Sequence, residues 1–315
     1  MSADSSALII HGGTLGDFVL TLSIVQAMKG AGFARLEVLA RGAHRSLALR
    51  GGADAFRDVD AHPWHSIFSS SPVSEELKAE LDQFDIAVDL LGGEPFSRQL
   101  HNAGIRRVFS IDPRPRPETR THITEQWAGD LAASGLKLPA LVAPRIEVSA
   151  GERKKKRTLA EGCPQIIFIH PGSGSAAKCW PLENFVQAAR ALSDQDHRVI
   201  FCIGEAECER WPAEAIDRLL GSGALLRDLS LEQLAISIAT ADLYIGNDSG
   251  VTHLAAAVGT PTVAVFGPTS PALWRPLGRR VEIVSNLESG PWPGVECVLS
   301  SARAFLKFTD TIQAS

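Results

Sequence analysis

Three short segments of this chain set small residues, hydroxyls and charged side chains at points where a strand-length apolar run gives way to a helix-periodic one. They are Gly12-Gly13-Thr14-Leu15-Gly16-Asp17, His170-Pro171-Gly172-Ser173-Gly174-Ser175-Ala176-Ala177-Lys178-Cys179-Trp180-Pro181 and Gly246-Asn247-Asp248-Ser249-Gly250-Val251-Thr252-His253. Backbone amides at such a junction lack an intrahelical partner and carry the positive end of the helix dipole, so they attract phosphate. Neither of the first two is a standard nucleotide loop. The glycines of the first do not fall at G-x-G-x-x-G spacing, and the second does not end in Gly-Lys-Ser/Thr. The second nevertheless offers hydroxyls, flexible amides and the Lys178 ammonium, the groups that hold a diphosphate and neutralise it as it leaves. In the third, Asp248 and Ser249 either cap the following helix or join the amides from Ser249 to Thr252 in a second cradle for phosphate and sugar. Asp17 has two readings as well, a helix cap or a general base beside glycines that let a substrate approach. His253 lies inside the helix start and reads as structural rather than as a proton carrier.

The elements that must position these loops alternate along the chain. In the first half, strand candidates span residues 8–10, 36–40, 84–91 and 107–111, and a helix spans 17–28, which Gly30 and Gly32 can end. In the second half, strands at 165–169, 199–203, 225–229, 243–245, 262–266 and 281–284 alternate with helices at 181–192, around 213–220, at 231–239 and at 251–258. Pro181 suits a first turn and Ser230 a cap. Few strands show period-2 alternation, so the sheets are expected to be parallel and covered on both faces. Between the halves, residues 144–163 include Arg153-Lys154-Lys155-Lys156-Arg157. Such a charge run reads as a solvated linker or exposed helix face, with the domain boundary near 150–160. Two doubly wound domains facing each other would gather the strand C-terminal ends around a central cleft.

Bulk properties narrow the function classes. The 315 residues suit two domains, and 45% hydrophobic with 21% charged residues is an ordinary globular balance. A net charge of -5 gives no overall field for nucleic acid or an anionic membrane. No secretory leader or membrane-spanning stretch is evident. The five cysteines, 163, 179, 202, 208 and 297, show no C-x-x-C or His-linked grouping, so reduced thiols are expected, without disulfide, zinc or other metal.

Two longer motifs resemble a known family. Lys178-Cys179-Trp180-Pro181-Leu182-Glu183 after His170-Pro171-Gly172-Ser173 is similar to the K-x-W-P-x-E signature of glycosyltransferase family nine, the heptosyltransferases. The segment from Gly246 through Gly259-Thr260-Pro261 to Phe266-Gly267-Pro268-Thr269 resembles the same family, as does Gly16-Asp17 opening a helix with Thr21. The resemblance implies a GT-B fold: two Rossmann-like α/β domains, 1–152 for the acceptor and 153–315 for the nucleotide-sugar, with the last helix packing back on the first. It implies an inverting, metal-independent transfer of heptose from ADP-heptose to a lipopolysaccharide inner-core or related glycan acceptor, with no cofactor. By position, Asp17 would deprotonate the acceptor hydroxyl, and Ser173 and Lys178 would hold the diphosphate. Asp248 would meet sugar hydroxyls, the amides of Ser249, Gly250, Val251 and Thr252 would hold phosphate, and Glu207 rather than Glu205 would meet the ribose.

On the acceptor side, Gly16 borders the base, and Arg106, Arg107, Arg114, Arg116, Arg120 and His122 crowd a proline-rich stretch at 112–117. Arginine suits bidentate recognition of carboxylate or phosphate, and the family's equivalent region meets an acidic sugar and lipid phosphates. The same arginines read equally as solvated loop charges. Two departures fall here: Ser23 stands where the family has proline, and Gly12-Gly13-Thr14 where it often has basic residues. The implied protein is a cytoplasmic monomer touching the inner face of the inner membrane peripherally and binding no nucleic acid. The alternatives are a nucleotide-sugar epimerase of the same fold, which needs a second acid/base pair, and a non-catalytic nucleotide-sugar-binding protein.

Overall fold

Strand runs that are short, β-branched and buried on both faces force parallel sheets covered by helices, and the computed structural model has one such sheet in each half. It describes residues 5–68, 73–92, 94–157, 165–195, 197–286 and 290–313. The chain divides into two units, Met1–Ile146 and Glu147–Ser315.

Unit 1 holds β1 (Ser6–Ile10), β2 (Arg35–Ala40), β3 (Ala55–Asp58), β4 (Ile86–Asp89) and β5 (Arg107–Ser110) in the order β3-β2-β1-β4-β5, every pair parallel. Its helices are α1 (Leu15–Gly30), α2 (Arg45–Arg50), α3 (Glu75–Leu81), α4 (Glu94–Asn102) and α5 (Ile123–Ala133). The hydrophobic run of α1 is buried almost all round, from Phe18 through Met28, so this helix is a core element and not a surface amphipath. Gly32, with φ +87, turns the chain out of α1 in a conformation that glycine adopts without strain. At the position where the family resemblance expects proline, buried Ser23 donates its hydroxyl to the Leu20 carbonyl at 2.7 Å.

Unit 2 holds β6 (Ile166–His170), β7 (Arg198–Ile203), β8 (Ala224–Arg227), β9 (Leu243–Asn247), β10 (Thr262–Phe266) and β11 (Val281–Ser285) in the order β11-β10-β9-β6-β7-β8, again wholly parallel. Around them lie α6 (Ala150–Arg157), α7 (Leu182–Ser193), α8 (Glu205–Arg210), α9 (Ala213–Leu220), α10 (Leu231–Ala239), α11 (Gly250–Ala257), α12 (Pro271–Trp274) and α13 (Val295–Gln313). Every residue of β6, β9 and β10 is buried. Ile167, Ile169, Ile245, Val263 and Val265 meet Phe185 and Leu192 of α7 and Val298, Ala302 and Leu306 of α13. Each such side chain contributes about 1.5–3 kcal/mol by leaving water. The final helix thus covers the sheet of its own unit.

Of the two readings of the basic run, linker or exposed helix face, the second fits Lys154 and Lys155, which are exposed on a helix, but not Arg153. Residues 153–157 belong to α6, and Arg153 is half-buried with its guanidinium bound to carbonyls. Cys163 lies outside the described residues, and the described cysteines 179, 202, 208 and 297 are free thiols. No described helix is long and apolar enough to cross a membrane. Among the described residues no group of three or more His, Cys, Asp or Glu is placed to hold a metal ion.

Candidate functional site

In a doubly wound sheet the crevice opens where the strand order reverses, at the carboxyl ends of the two strands flanking that point. In unit 2 these strands are β6 and β9. Their register sets His170 beside Gly246, so the loops that follow lie next to each other. Asn247, fully buried at the end of β9, stitches them together. Its Oδ1 accepts from the Trp180 amide at 2.8 Å, and its Nδ2 donates to the carbonyls of Pro171 at 2.8 Å and Gly172 at 3.2 Å. Trp180 is pinned in turn, donating Nε1–H to the Pro293 carbonyl at 2.9 Å and packing edge-on against Phe185.

This stitching brings together residues 70 and 75 positions apart. The Ser173 hydroxyl donates to the Asp248 carbonyl at 2.9 Å. Lys178 Nζ lies 3.0 Å from Asp248 Oδ2; the lysine side chain is 37% exposed and the carboxylate only 6%. The carboxylate is therefore a buried anchor, while the ammonium keeps further N–H donors for something outside. Next to the pair begins α11. Its N-cap residue Ser249 is extended and makes no side-chain cap bond. The first amides, those of Gly250 and Val251, face no acceptor within the helix, and both residues are partly exposed.

Thr252 plays a different part from the one its motif position implies. It is fully buried, its amide donates to the Ser249 carbonyl at 3.1 Å, and its hydroxyl donates to the Asn247 carbonyl. Tyr244 and Ser249 hydroxyls lie 3.1 and 3.2 Å from that hydroxyl, which makes Thr252 part of the internal frame. Burial pushes the Tyr244 hydroxyl well above its ordinary pKa, so it stays protonated.

Glu207 is likewise occupied. It is buried in α8, where Oε2 accepts from the Gly204 amide at 3.0 Å and Oε1 from Arg210 Nη2 at 3.1 Å, and the same Arg210 nitrogen donates to the Ser173 carbonyl at 2.8 Å. A Cβ on Gly172 would overlap the Glu207 carboxylate, so glycine is required for this close approach. Glu207 therefore braces the second loop from beneath, while Glu205 is exposed. His170 is buried alongside; burial lowers its pKa, the Glu207 charge opposes that, and its Nδ1 donates to the Cys202 carbonyl at 2.9 Å.

In unit 1 the reversal falls between β1 and β4. After β1, Thr14 caps α1 and Asp17 closes the cap: its Oδ2 accepts from the Thr14 amide at 3.0 Å and the Thr14 hydroxyl at 2.8 Å. Both bonds fall on one oxygen. Oδ1 makes no hydrogen bond among the described residues, and Asp17 is partly exposed. The two readings of Asp17 are thus compatible, because the cap anchors one oxygen and leaves the other available. Gly16 precedes it in the same first turn. Behind the loop, His11 and His44 flank Phe18, with ring centroids 5.4 and 4.3 Å from the phenyl ring. The Thr21 hydroxyl donates to the Asp17 carbonyl at 2.9 Å and lies 3.2 Å from His11 Nδ1. Burial lowers His11 to about 4 despite the Asp17 charge, and burial followed by the Arg41 charge lowers His44 to about 4. Asp89, fully buried at the end of β4, is pushed up by burial and accepts from the Leu91 amide and the Ser97 and Ser110 hydroxyls.

The arginine-rich stretch is less open than its composition implies. Arg114 forks onto Asp112 at 3.0 and 3.1 Å, and Arg116 donates from Nη1 to both carboxylate oxygens of Asp130 at 3.1 and 3.0 Å. Arg120 is exposed at a left-handed φ of 49. His122 is buried as the N-cap of α5, where Nδ1 accepts from the Thr124 amide at 3.3 Å, so it supports the loop rather than facing solvent. Sequence reasoning missed Asn247 and Asp89. Their signal was a polar residue ending an otherwise apolar strand run.

Comparison with known proteins points the same way. The model of glycosyltransferase family 9 (heptosyltransferase) matches residues 104–301. Lipopolysaccharide heptosyltransferase 2 of Escherichia coli K12 is 31% identical over 152 residues, 46% of this chain and 43% of that protein. The match thus spans less than half the length of that relative. Lipooligosaccharide heptosyltransferase 2 of Haemophilus influenzae is 24% identical over 310 residues, 89% of this chain and 88% of its own. Among solved structures, the glycosyl transferase family 9 protein of Veillonella parvula superposes with a TM-score of 0.76 at 19% identity, covering 97% of this chain and 98% of that one. The E. coli ADP-heptose lps heptosyltransferase II does so at 0.74 and 20%, covering 97% and 99%. These likenesses bear out the two-domain GT-B fold. On the match of the family model across 104–301, the chain belongs to glycosyltransferase family 9, the heptosyltransferase family.

Proposed function

We propose that this protein transfers a heptose from ADP-heptose to a lipopolysaccharide inner-core or related glycan acceptor, with inversion and without a metal ion. The observation that carries the reading is the Lys178–Asp248 pair, joined to Ser173 and set at the start of α11. It offers one ammonium and two free amides to a diphosphate, which is enough positive potential to stabilise a leaving ADP. The name of the solved E. coli ADP-heptose lps heptosyltransferase II records the same donor for that protein.

In this reading Asp17 Oδ1 takes the proton of the acceptor hydroxyl. The acceptor oxygen attacks the anomeric carbon, and the bond from that carbon to the distal phosphate oxygen breaks. ADP then departs with its new charge held by Lys178 and the amides of Gly250 and Val251. Asp248 steadies Lys178 and accepts from sugar hydroxyls, while Ser173 and Ser249 line the same cradle. The ribose falls to the segment opening α8, where Glu207 holds the loop and can accept through its remaining lone pairs and Glu205 is exposed. Gly16 gives the acceptor room beside the base. Arg114, Arg116 and Arg120 are assigned to its acidic groups, which must exchange with Asp112 and Asp130, and His122 holds their loop.

A monomer touching the inner face of the inner membrane peripherally completes the proposal. The deciding experiment is transfer assayed with ADP-heptose against UDP- and GDP-sugars, with and without chelator. Turnover only with ADP-heptose and insensitive to chelator supports it; inactivity with every ADP-linked heptose removes the sugar assignment. A non-catalytic binding protein would keep its biological activity on Asp17→Asn, and an epimerase would need a second acid/base pair close to the sugar ring.

A further inference from the structure

The basic run at 153–157 contains one residue that the proposed chemistry leaves unused and the structure does not leave in solvent. Arg153 Nη1 donates to the Ala239 carbonyl at 2.6 Å, Nη2 to the Val258 carbonyl at 2.9 Å and Nε to the Val148 carbonyl at 3.2 Å. Ala239 is the last residue of α10, Val258 is the C-cap of α11, and Val148 lies just after the division between the units. One side chain therefore joins the incoming connector to the carboxyl ends of two helices. The Thr260 hydroxyl reinforces the same junction, donating to the Ile238 carbonyl at 2.8 Å.

We propose that Arg153 is a positioning residue for the donor site, acting through α11. The helix has eight residues, so its ends lie only about 12 Å apart. One end holds the Gly250 and Val251 amides and the other is clamped by Arg153. The last carbonyls carry the negative end of the dipole, where a cation is stabilising. A planar guanidinium spans two carbonyls of neighbouring helix ends. A lysine ammonium, a point charge, cannot reproduce that fork. Clamping the carboxyl end fixes the direction and height of the amino end, and with them the two amides offered to phosphate. The same clamp makes the connector's position at Val148 part of the donor site's geometry. The proposal rests on the reading that the start of α11 holds the diphosphate.

The test measures ADP affinity by calorimetry on the full-length protein. Arg153→Ala is expected to bind ADP about five- to tenfold more weakly than wild type, and Arg153→Lys to recover little of it. Millimolar guanidinium is expected to restore part of the affinity to Arg153→Ala and none to Arg153→Leu, where the space is filled. Leu219→Ala, at the one buried position of α9 and away from the helix ends that Arg153 clamps, serves as a variant that loses stability without losing the clamp. Arg153→Ala or Arg153→Lys affinity within twofold of wild type overturns the proposal, as does an equal loss in Leu219→Ala at matched stability. Wild-type protein that binds no nucleoside diphosphate removes the donor reading itself, and the proposal with it; that result is distinguishable because it needs no variant.

Discussion

Replacing Asn247 by alanine should separate the donor loops without touching any group assigned to the chemistry. The side chain makes three hydrogen bonds, from the Trp180 amide and to the Pro171 and Gly172 carbonyls, all in a fully buried setting. Each is worth about 1 kcal/mol net, and each partner left unsatisfied costs about 1–3 kcal/mol unless water replaces the lost group. The small polar space created can take a water that recovers part of this. The balance is roughly 3 kcal/mol lost from the stitched arrangement of the two loops. If half or more of that is felt as a population of misaligned loops, ADP affinity falls about 10- to 100-fold. Asn247→Asp sharpens the case. It keeps the acceptor for Trp180 but turns an oxygen toward two carbonyls, so binding should be poor at neutral pH and improve as acid protonates the new carboxyl into a donor. Calorimetric titration with ADP between pH 5 and 8, beside urea unfolding, measures both effects. An Asn247→Ala protein that is destabilised yet binds ADP within twofold of wild type would refute the reasoning, because the loops would not need the stitch.

Three further outcomes are expected. Asp17→Asn keeps an oxygen to accept from Thr14 and so preserves the helix cap, but it removes the proposed base; turnover should fall about 10²–10⁴-fold while ADP affinity stays within twofold, read by steady-state rates and calorimetry. Gly172→Ala forces a methyl group onto the braced Glu207 carboxylate, and it should weaken ADP binding about tenfold or more, whereas Gly174→Ala, with open space around it, should not. The buried histidines of unit 1 set a pH dependence. His11 and His44 are lowered from 6.5 to about 4, so below pH 6.5 the unfolded chain takes up protons that the folded unit refuses. Stability is then complete above pH 6.5 and is lost as pH falls toward 4, by roughly 2 kcal/mol per histidine at pH 5. Hydrogen exchange of unit 1 amides should show this loss, and His44→Gln should remove about half of it; a flat profile would mean the histidines are not held neutral by burial.

The alternation of strands and helices was legible because parallel strands buried on both faces are written as short continuous apolar runs. β6, β9 and β10 are fully buried, and all three were located from sequence to within two residues at each end. β3 was missed because it has four residues with only Phe56 buried, and α3 because only Leu77 and Leu81 face inward. Such elements are defined by what packs on them rather than by their own pattern. At the site, glycine-rich loops at strand ends marked Asp17, Ser173, Lys178 and Asp248 as candidates. Sequence alone could not show which way a side chain turns. Thr252 lies in the third of these loops and Glu207 follows Gly204 outside them, yet both point inward as frame, and Arg114 and Arg116 are met by carboxylates at i−2 and i+14. Asn247 escaped notice because its worth lies in three backbone partners 67 to 76 residues away.

Unit 2 is proposed to bind an ADP-linked heptose through Lys178, Asp248 and the start of α11. Calorimetric binding of ADP-heptose, ADP, UDP and GDP to the intact protein, with and without a divalent metal, tests it most directly. ADP-heptose is expected to bind most tightly, UDP and GDP at least tenfold more weakly, and none with a metal requirement. A preference for UDP or GDP, or binding that depends on the metal, would contradict it.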